Sequence, residues 1–370
     1  MAALLAGFEP ANPPLGLNRK KVIEPAACCC DHITVKVNNT AEQINNLTEQ
    51  VSACRELIAD DFAGVDRLIR DKLASDVVLI NQMSAYIVNN GGKRLRPQVV
   101  LFAAGACNYT GGMAINLAAI VEFIHTATLL HDDVVDESAL RRGQDTANSV
   151  WGNEAAVLVG DFLYSRSFEM MVEVGEFRVM EILAATTNRI AEGEVMQLLN
   201  VHEPDITVDQ YLEVVRAKTA KLFEAAARLG AVISGSSNAV EIALANYGMH
   251  LGTAFQIADD VLDYVSDSDQ LGKNIGDDLA EGKPTLPIIL AMQRCDNKQK
   301  ALLSDAIREG GLDDMQDVLS IVRTSGAIEA SMQTAREESD RARDAIAVLD
   351  ESPYKDALSI LADYAVARLA

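Results

Sequence analysis

The chain has 370 residues, 49% of them hydrophobic, with a formal charge of −22 and a sequence pI near 4.6. That is enough apolar material for one large core or two modest ones, and the acidity excludes nonspecific attraction to nucleic acid or anionic headgroups. An anionic substrate would therefore need a local basic patch.

Four of the nine prolines, Pro10, Pro13, Pro14 and Pro25, fall in the first 25 residues, and residues 1–47 read as an irregular extension. Arg19, Lys20 and Lys21 give it a basic character, but it lacks the apolar or Arg/Ser-rich patterns of a targeting peptide. Cys28, Cys29 and Cys30, with Asp31 and His32 behind them, do not show the spaced pairs of a tetrahedral zinc site. The six cysteines are irregularly spaced and form no disulfide framework, so a reducing, cytoplasmic location is expected.

From about Thr48 onward, apolar residues recur at helical intervals, as over 114–124 and 211–215, and the body at 48–370 is expected to be predominantly α-helical. Gly91-Gly92, Gly111-Gly112, Pro204, Gly235 and Gly282-Lys283-Pro284 mark its joints. Asn116, Glu122 and His125 interrupt the longest apolar stretches, so no transmembrane segment is expected.

The first chemical motif is Gly91-Gly92-Lys93-Arg94-Leu95-Arg96-Pro97. Three cations behind a glycine pair suit a phosphate, although a basic surface turn has the same composition. It is no P-loop, because Ile87 stands in the place of the first glycine and Arg94 in that of the metal-binding Ser or Thr.

An apolar run leads into Asp132-Asp133-Val134-Val135-Asp136, in which Asp132 and Asp136 share a helix face one turn apart. His125, two turns earlier, shares that face, while Arg141 and Arg142 follow closely enough to reach the same mouth. The pattern recurs 127 residues later as Asp259-Asp260-Val261-Leu262-Asp263, after Phe255 and Gln256. Either cluster alone would pass for a solvated acidic face. Two of them, each beside an apolar stretch, instead suggest carboxylate walls bridged by Mg²⁺, which keeps coordination positions for phosphate oxygens. Lys218-Thr219, Lys273 and Lys283 are further candidates for holding anionic groups. Asp267-Ser-Asp-Gln-Leu-Gly272 imitates an EF-hand start, but Leu271 replaces an oxygen ligand and Asp278 stands where a bidentate Glu belongs.

In order, Gly91–Pro97, His125–Asp136, Arg141-Arg-Gly143, Lys218-Thr219, Phe255–Asp263 and Gly282-Lys-Pro-Thr-Leu-Pro287 resemble the trans-isoprenyl diphosphate synthases, especially the bacterial octaprenyl and decaprenyl members. The resemblance implies an all-α isoprenoid synthase fold, antiparallel helices around a deep central cavity, usually as a homodimer. It implies a long-chain prenyltransferase that condenses isopentenyl diphosphate onto an allylic diphosphate such as farnesyl diphosphate, to serve quinone side chains. On that pattern Lys93, Arg96, His125 and Arg142 match isopentenyl diphosphate binders, and Asp132, Asp136 and Asp259 match Mg²⁺ ligands. Arg141, Lys218, Thr219, Gln256, Lys273 and Lys283 match the allylic site. The catalytic group would comprise Asp132, Asp133, Asp136, Lys218, Thr219, Gln256, Asp259 and Asp260.

Ala127 and Thr128 are small where short-chain members tend to carry aromatics, which implies a product of about eight to ten isoprene units with space for its tail. A shorter-chain synthase and a noncatalytic subunit of a heteromeric synthase are the alternatives. The aspartates of the second wall argue against a terpene cyclase.

Overall fold

The computed structural model describes residues 46–89, 92–141, 143–265, 276–310 and 315–367. Arg142, Lys273, the Cys28–Cys30 triplet and 267–272 lie outside the described residues.

The body is helical, as its periodicity requires. In chain order the helices are α1 (46–56), α2 (Ala59–Leu73), α3 (Val78–Asn89), α4 (Leu95–Ala106) and α5 (Met113–Val135). A two-stranded hairpin follows, with β1 (Leu140–Arg141) antiparallel to β2 (Gln144–Asp145). Then come α6 (Ala147–Trp151), α7 (Asn153–Val174), α8 (Phe177–Asn200), α9 (Val208–Val215), a π-helical turn (Arg216–Ala220), α10 (Lys221–Ile233) and α11 (Asn238–Val265). The last are α12 (Asp277–Ala280), α13 (Leu286–Arg294), α14 (Asn297–Glu309), α15 (Met315–Thr324), α16 (Ala327–Ala345) and α17 (Pro353–Ala367).

Local chemistry sets several boundaries. Thr207 begins α9 with a capping box: its hydroxyl accepts from the Gln210 N–H, while the Gln210 side chain accepts from the Thr207 N–H. Asp296 and Gln299 do the same for α14. At the end of α5, where helix carbonyls run out of partners, the Asp133 carbonyl accepts from Ser138 N–H and Asn148 Nδ2. The hairpin is thereby seated under the first aspartate cluster.

Helix α5 is the centre of the bundle, packed against α2, α4 and α7, with Leu117, Ile120, Val121, Ile124 and Ala127 fully buried. Among the described residues it is the one helix long and apolar enough to cross a membrane, and most of its apolar stretch is buried inside the protein. The other main contacts are α10 on α11 and α4, and α11 on α16.

The π-helical turn is wedged between two helices that approach it through glycine. A Cβ on Gly193 of α8 would lie 2.7 Å from the Lys218 amide nitrogen, and one on Gly252 of α11 would lie 2.5 Å from the Ala220 Cα. Both obstacles are backbone, so neither can swing aside. We expect Gly193→Ala to destabilise the protein by about 1–3 kcal/mol through overpacking. It should also lower activity, because the displaced turn carries Lys218 and Thr219. Thermal unfolding and a turnover assay check this; wild-type values in both would mean that the close approach is not required.

Candidate active site

A cavity of about 1170 Å³ runs between α5, α8, α10, α11 and the loops that join them. Its volume exceeds the ~300–1,000 Å³ of ordinary small-molecule pockets. Lys93, Arg96, His125, Thr128, Asp132, Asp136, Arg141, Lys218, Thr219, Gln256, Asp259, Asp260 and Lys283 all line it.

The two aspartate clusters divide by helical phase. Asp132 and Asp136, one turn apart at the end of α5, face the cavity, whereas Asp133 lies behind them, buried. The Asp133 carboxylate accepts from Arg141 through Nε at 2.8 Å and pairs with Nη2 at 2.6 Å. Burial pushes the Asp133 carboxyl up, and Arg141 pulls it back. On α11, Asp259 is exposed to the cavity, while Asp260 is buried with both oxygens engaged: Tyr211 donates to one at 2.5 Å and Gln256 Nε2 to the other at 2.7 Å. Burial and the neighbouring Asp278 raise the Asp260 carboxyl well above its usual range, against those two hydrogen bonds.

Two lysines serve the walls. Lys218 Nζ lies 3.5 Å from Asp132 Oδ2 and 2.5 Å from Glu194 Oε2. Lys283 Nζ donates to Asp136 Oδ2 at 2.7 Å and pairs with Glu281 at 2.5 Å. Burial alone would lower the Lys283 ammonium, but Asp136, Glu281 and Asp278 together raise it. Fixed positive charge is therefore concentrated between the acidic walls, where an anionic group would need it.

The third element is the basic loop before α4. Arg94 adopts a left-handed backbone conformation (φ 45°), pairs with Asp66 of α2 and lies 3.8 Å from Glu122 of α5. The buried Gln98 donates to the Lys93 carbonyl at 2.6 Å and the Arg94 carbonyl at 3.3 Å. With the loop held at both points, Lys93 lies over the Tyr364 ring (4.9 Å) and Arg96 over Phe223 (4.3 Å). Arg96 Nη1 is 3.1 Å from His125 Nε2, which joins two residues that are far apart in sequence.

Could these carboxylates take a divalent cation? Among the described residues no three His, Cys, Asp or Glu side chains close on one metal position. Asp132 and Asp136 on one wall and Asp259 on the other nevertheless line the same cavity, and such hard carboxylate oxygens suit a divalent cation that keeps positions for water and phosphate oxygens.

Residues 77–324 match the polyprenyl synthetase family. The chain belongs to that family. It is 51% identical over 314 residues to the octaprenyl diphosphate synthase of Escherichia coli, covering 85% of this chain and 97% of that one. It is 47% identical to the geranyl-diphosphate-specific all-trans-nonaprenyl-diphosphate synthase of Rhodobacter capsulatus, covering 84% and 96%. The crystal structure of a Caulobacter crescentus polyprenyl synthase complexed with calcium and isoprenyl diphosphate superposes with a TM-score of 0.84 at 45% identity, covering 86% and 98%. The all-α isoprenoid synthase fold expected from the sequence motifs is the fold observed. This polyprenyl synthetase is an enzyme, a prenyltransferase of the long-chain trans-prenyl diphosphate synthase kind.

Two expected residues occupy other positions than the cavity wall. Asp133 is a buried partner of Arg141, and Ala127 is fully buried on a different face of α5 from Thr128. The reason is the 100° step between consecutive helical residues, which sends neighbours to different surroundings. Two residues went unnoticed in the sequence: Tyr211, read only as part of an apolar stripe, and Glu194. The Glu194 carboxyl is pushed up to about 7, first by burial and then by Asp132, against the pull of Lys218. For Glu194 the available signal is the adjacent Gly193, since a glycine inside a helix costs about 1 kcal/mol relative to alanine and here admits the Lys218 backbone.

Proposed function

We propose that the enzyme condenses isopentenyl diphosphate head to tail onto an allylic diphosphate, with Mg²⁺, to about C40–C50. Octaprenyl diphosphate is the favoured product, decaprenyl the near alternative, and the chain would serve a quinone. One observation carries this reading: a single cavity is lined by Lys93 and Arg96 beside His125, and by Lys218, Lys283 and Arg141, around two aspartate walls. Two anionic substrates can thus be bound side by side. The names of the octaprenyl and nonaprenyl relatives favour a long product.

In this reading Asp132, Asp136 and Asp259 hold the metal. A divalent cation, when bound, draws electron density onto the diphosphate and weakens the allylic C–O bond. Lys218 and Lys283 place fixed charge where pyrophosphate departs, so little reorganisation is needed as the charge develops. Thr219, Gln256 and the Lys218 carbonyl turn dipoles toward the carbon that becomes cationic. Lys93, Arg96 and His125, with Arg142, hold isopentenyl diphosphate so that its double bond lies close to that carbon. The new C–C bond forms, a proton leaves the adjacent carbon, and the departing pyrophosphate accepts it. No protein nucleophile is needed.

Residues 1–47 would be an extension to the catalytic domain at 48–370. A homodimer is supported by exposed apolar side chains on adjoining helices: Leu158 (67%) and Val172 (63%) on α7, and Phe177 (80%), Leu198 (62%) and Leu199 (75%) on α8. A solution mass of one chain by light scattering would exclude it. Free thiols at Cys54, Cys107 and Cys295 support a cytoplasmic location.

The deciding experiment is incubation of the purified protein with Mg²⁺, farnesyl diphosphate and isopentenyl diphosphate, followed by the mass of the product. A ladder ending near C15 or C20 would defeat the long-chain reading. Absence of extension would defeat the two-substrate reading.

A further inference from the structure

Tyr211 does not itself reach the reacting carbon as Gln256 and Thr219 would, and its hydroxyl is committed to an equally buried acid. Tyr211 lies on α9 with its ring packed among Ile206, Val215, Ile257, Leu286 and Ile289, and is 6% exposed. Its hydroxyl donates to Asp260 Oδ2 at 2.5 Å. Asp260 Oδ1 accepts from Gln256 Nε2 at 2.7 Å, and Gln256 Oε1 accepts from Thr219 Oγ1 at 2.9 Å. The relay thus starts on α9, crosses α11 and ends on the π-helical turn.

Direction matters in such a chain. A glutamine side chain has one accepting and one donating end, nearly identical in shape, so packing alone does not choose between them. An accepting oxygen does: Asp260 Oδ1 takes the amide NH₂ and leaves the carbonyl oxygen pointing the other way. Here that oxygen points to Thr219 on the cavity wall. The Thr219 hydroxyl spends its proton on Gln256 and keeps its lone pairs. Both groups thereby offer oxygen, the negative end of a dipole, and a reversed amide would offer N–H instead. Asp260 can direct the amide only while its Oδ1 stays within hydrogen-bond reach of Gln256, and the Tyr211 hydroxyl on the second oxygen holds it there.

We propose that Tyr211 is a positioning residue for prenyl transfer: through Asp260 it fixes the Gln256 amide with its carbonyl oxygen toward Thr219 and the cavity. This rests on the reading that Gln256 and Thr219 face the allylic carbon. It concerns how they are oriented, not whether they are present.

A double-mutant cycle tests it, read as single-turnover rates so that slow variants remain measurable. Tyr211→Phe keeps the ring and removes only the hydroxyl. It should lower the rate of condensation about 10-fold, the scale of one lost buried hydrogen bond. Both substrate KM values and the Mg²⁺ concentration for half-saturation should stay within about twofold. In a Gln256→Leu background, where no amide remains to be oriented, the same change should cost less than about twofold. Asp260→Asn, whose side chain can donate as well as accept, should behave like Tyr211→Phe in both backgrounds and provides a second route if Tyr211→Phe folds poorly. An unchanged rate in Tyr211→Phe, an equal loss in both backgrounds, or a raised Mg²⁺ requirement would overturn the proposal. A wild-type enzyme that does not elongate at all would instead remove the functional reading beneath it.

Discussion

Asp132→Asn lowers turnover by about 10³-fold or more at saturating Mg²⁺, and raises the Mg²⁺ concentration needed for half-maximal rate. The substitution changes shape hardly at all but removes the negative charge from a side chain on the cavity wall, 3.5 Å from the Lys218 ammonium. Polarisation of a departing phosphate by a bound metal is worth several kcal/mol, and about 4 kcal/mol corresponds to three orders of magnitude in rate. Asp259→Asn, on the opposite wall, should act in the same direction. Asp133→Asn provides the contrast, because Asp133 is buried and tied to Arg141 away from the cavity surface. Its loss should appear as a lowered melting temperature with little change in Mg²⁺ dependence. Metal titrations of the three variants decide the matter, and Asp132→Asn with a wild-type metal requirement would overturn the proposed ligand role.

Thr128→Phe shortens the product by several isoprene units while leaving the first condensation within a few-fold of the wild-type rate. Thr128 lies on the cavity wall one turn before Asp132, with its hydroxyl turned back onto the His125 carbonyl at 2.8 Å. A phenyl ring there fills space that a growing tail would occupy, and protein interiors are packed too densely to provide it elsewhere. Ala127→Phe should also shorten the product, but by a less direct route. Ala127 is fully buried away from the cavity lining, so the ring must displace packed neighbours, at a cost of about 1–3 kcal/mol in stability. The two variants should therefore separate: Thr128→Phe keeps its melting temperature and Ala127→Phe loses it. Product mass beside thermal unfolding reads both effects, and a full-length product from Thr128→Phe would sink the wall assignment.

Helical periodicity made much of this site legible in advance. The spacing of Asp132 and Asp136 places both on one face whatever surrounds the helix, and the same rule brings His125 onto that face two turns away. The recurrence at Asp259 and the basic loop at Lys93–Arg96 could likewise be recognised as chemistry before any fold was known. Periodicity was less able to separate adjacent residues. The family resemblance groups Asp133 with Asp132 and Ala127 with Thr128, yet the 100° step between consecutive residues sends Asp133 and Ala127 into the packed interior.

By itself, then, the sequence determined an all-helical chain with two carboxylate walls, a basic loop and the family to which those motifs belong, because each is a local pattern written in consecutive residues. The tertiary structure alone decided which acid meets which base. Lys218 finds Glu194 and Asp132, Lys283 finds Asp136, and Arg94 finds Asp66. It also turned Tyr211 from a core residue into the end of a relay that reaches Thr219 through Asp260 and Gln256. These partners lie on different helices, and only the way the helices pack sets the distances between them.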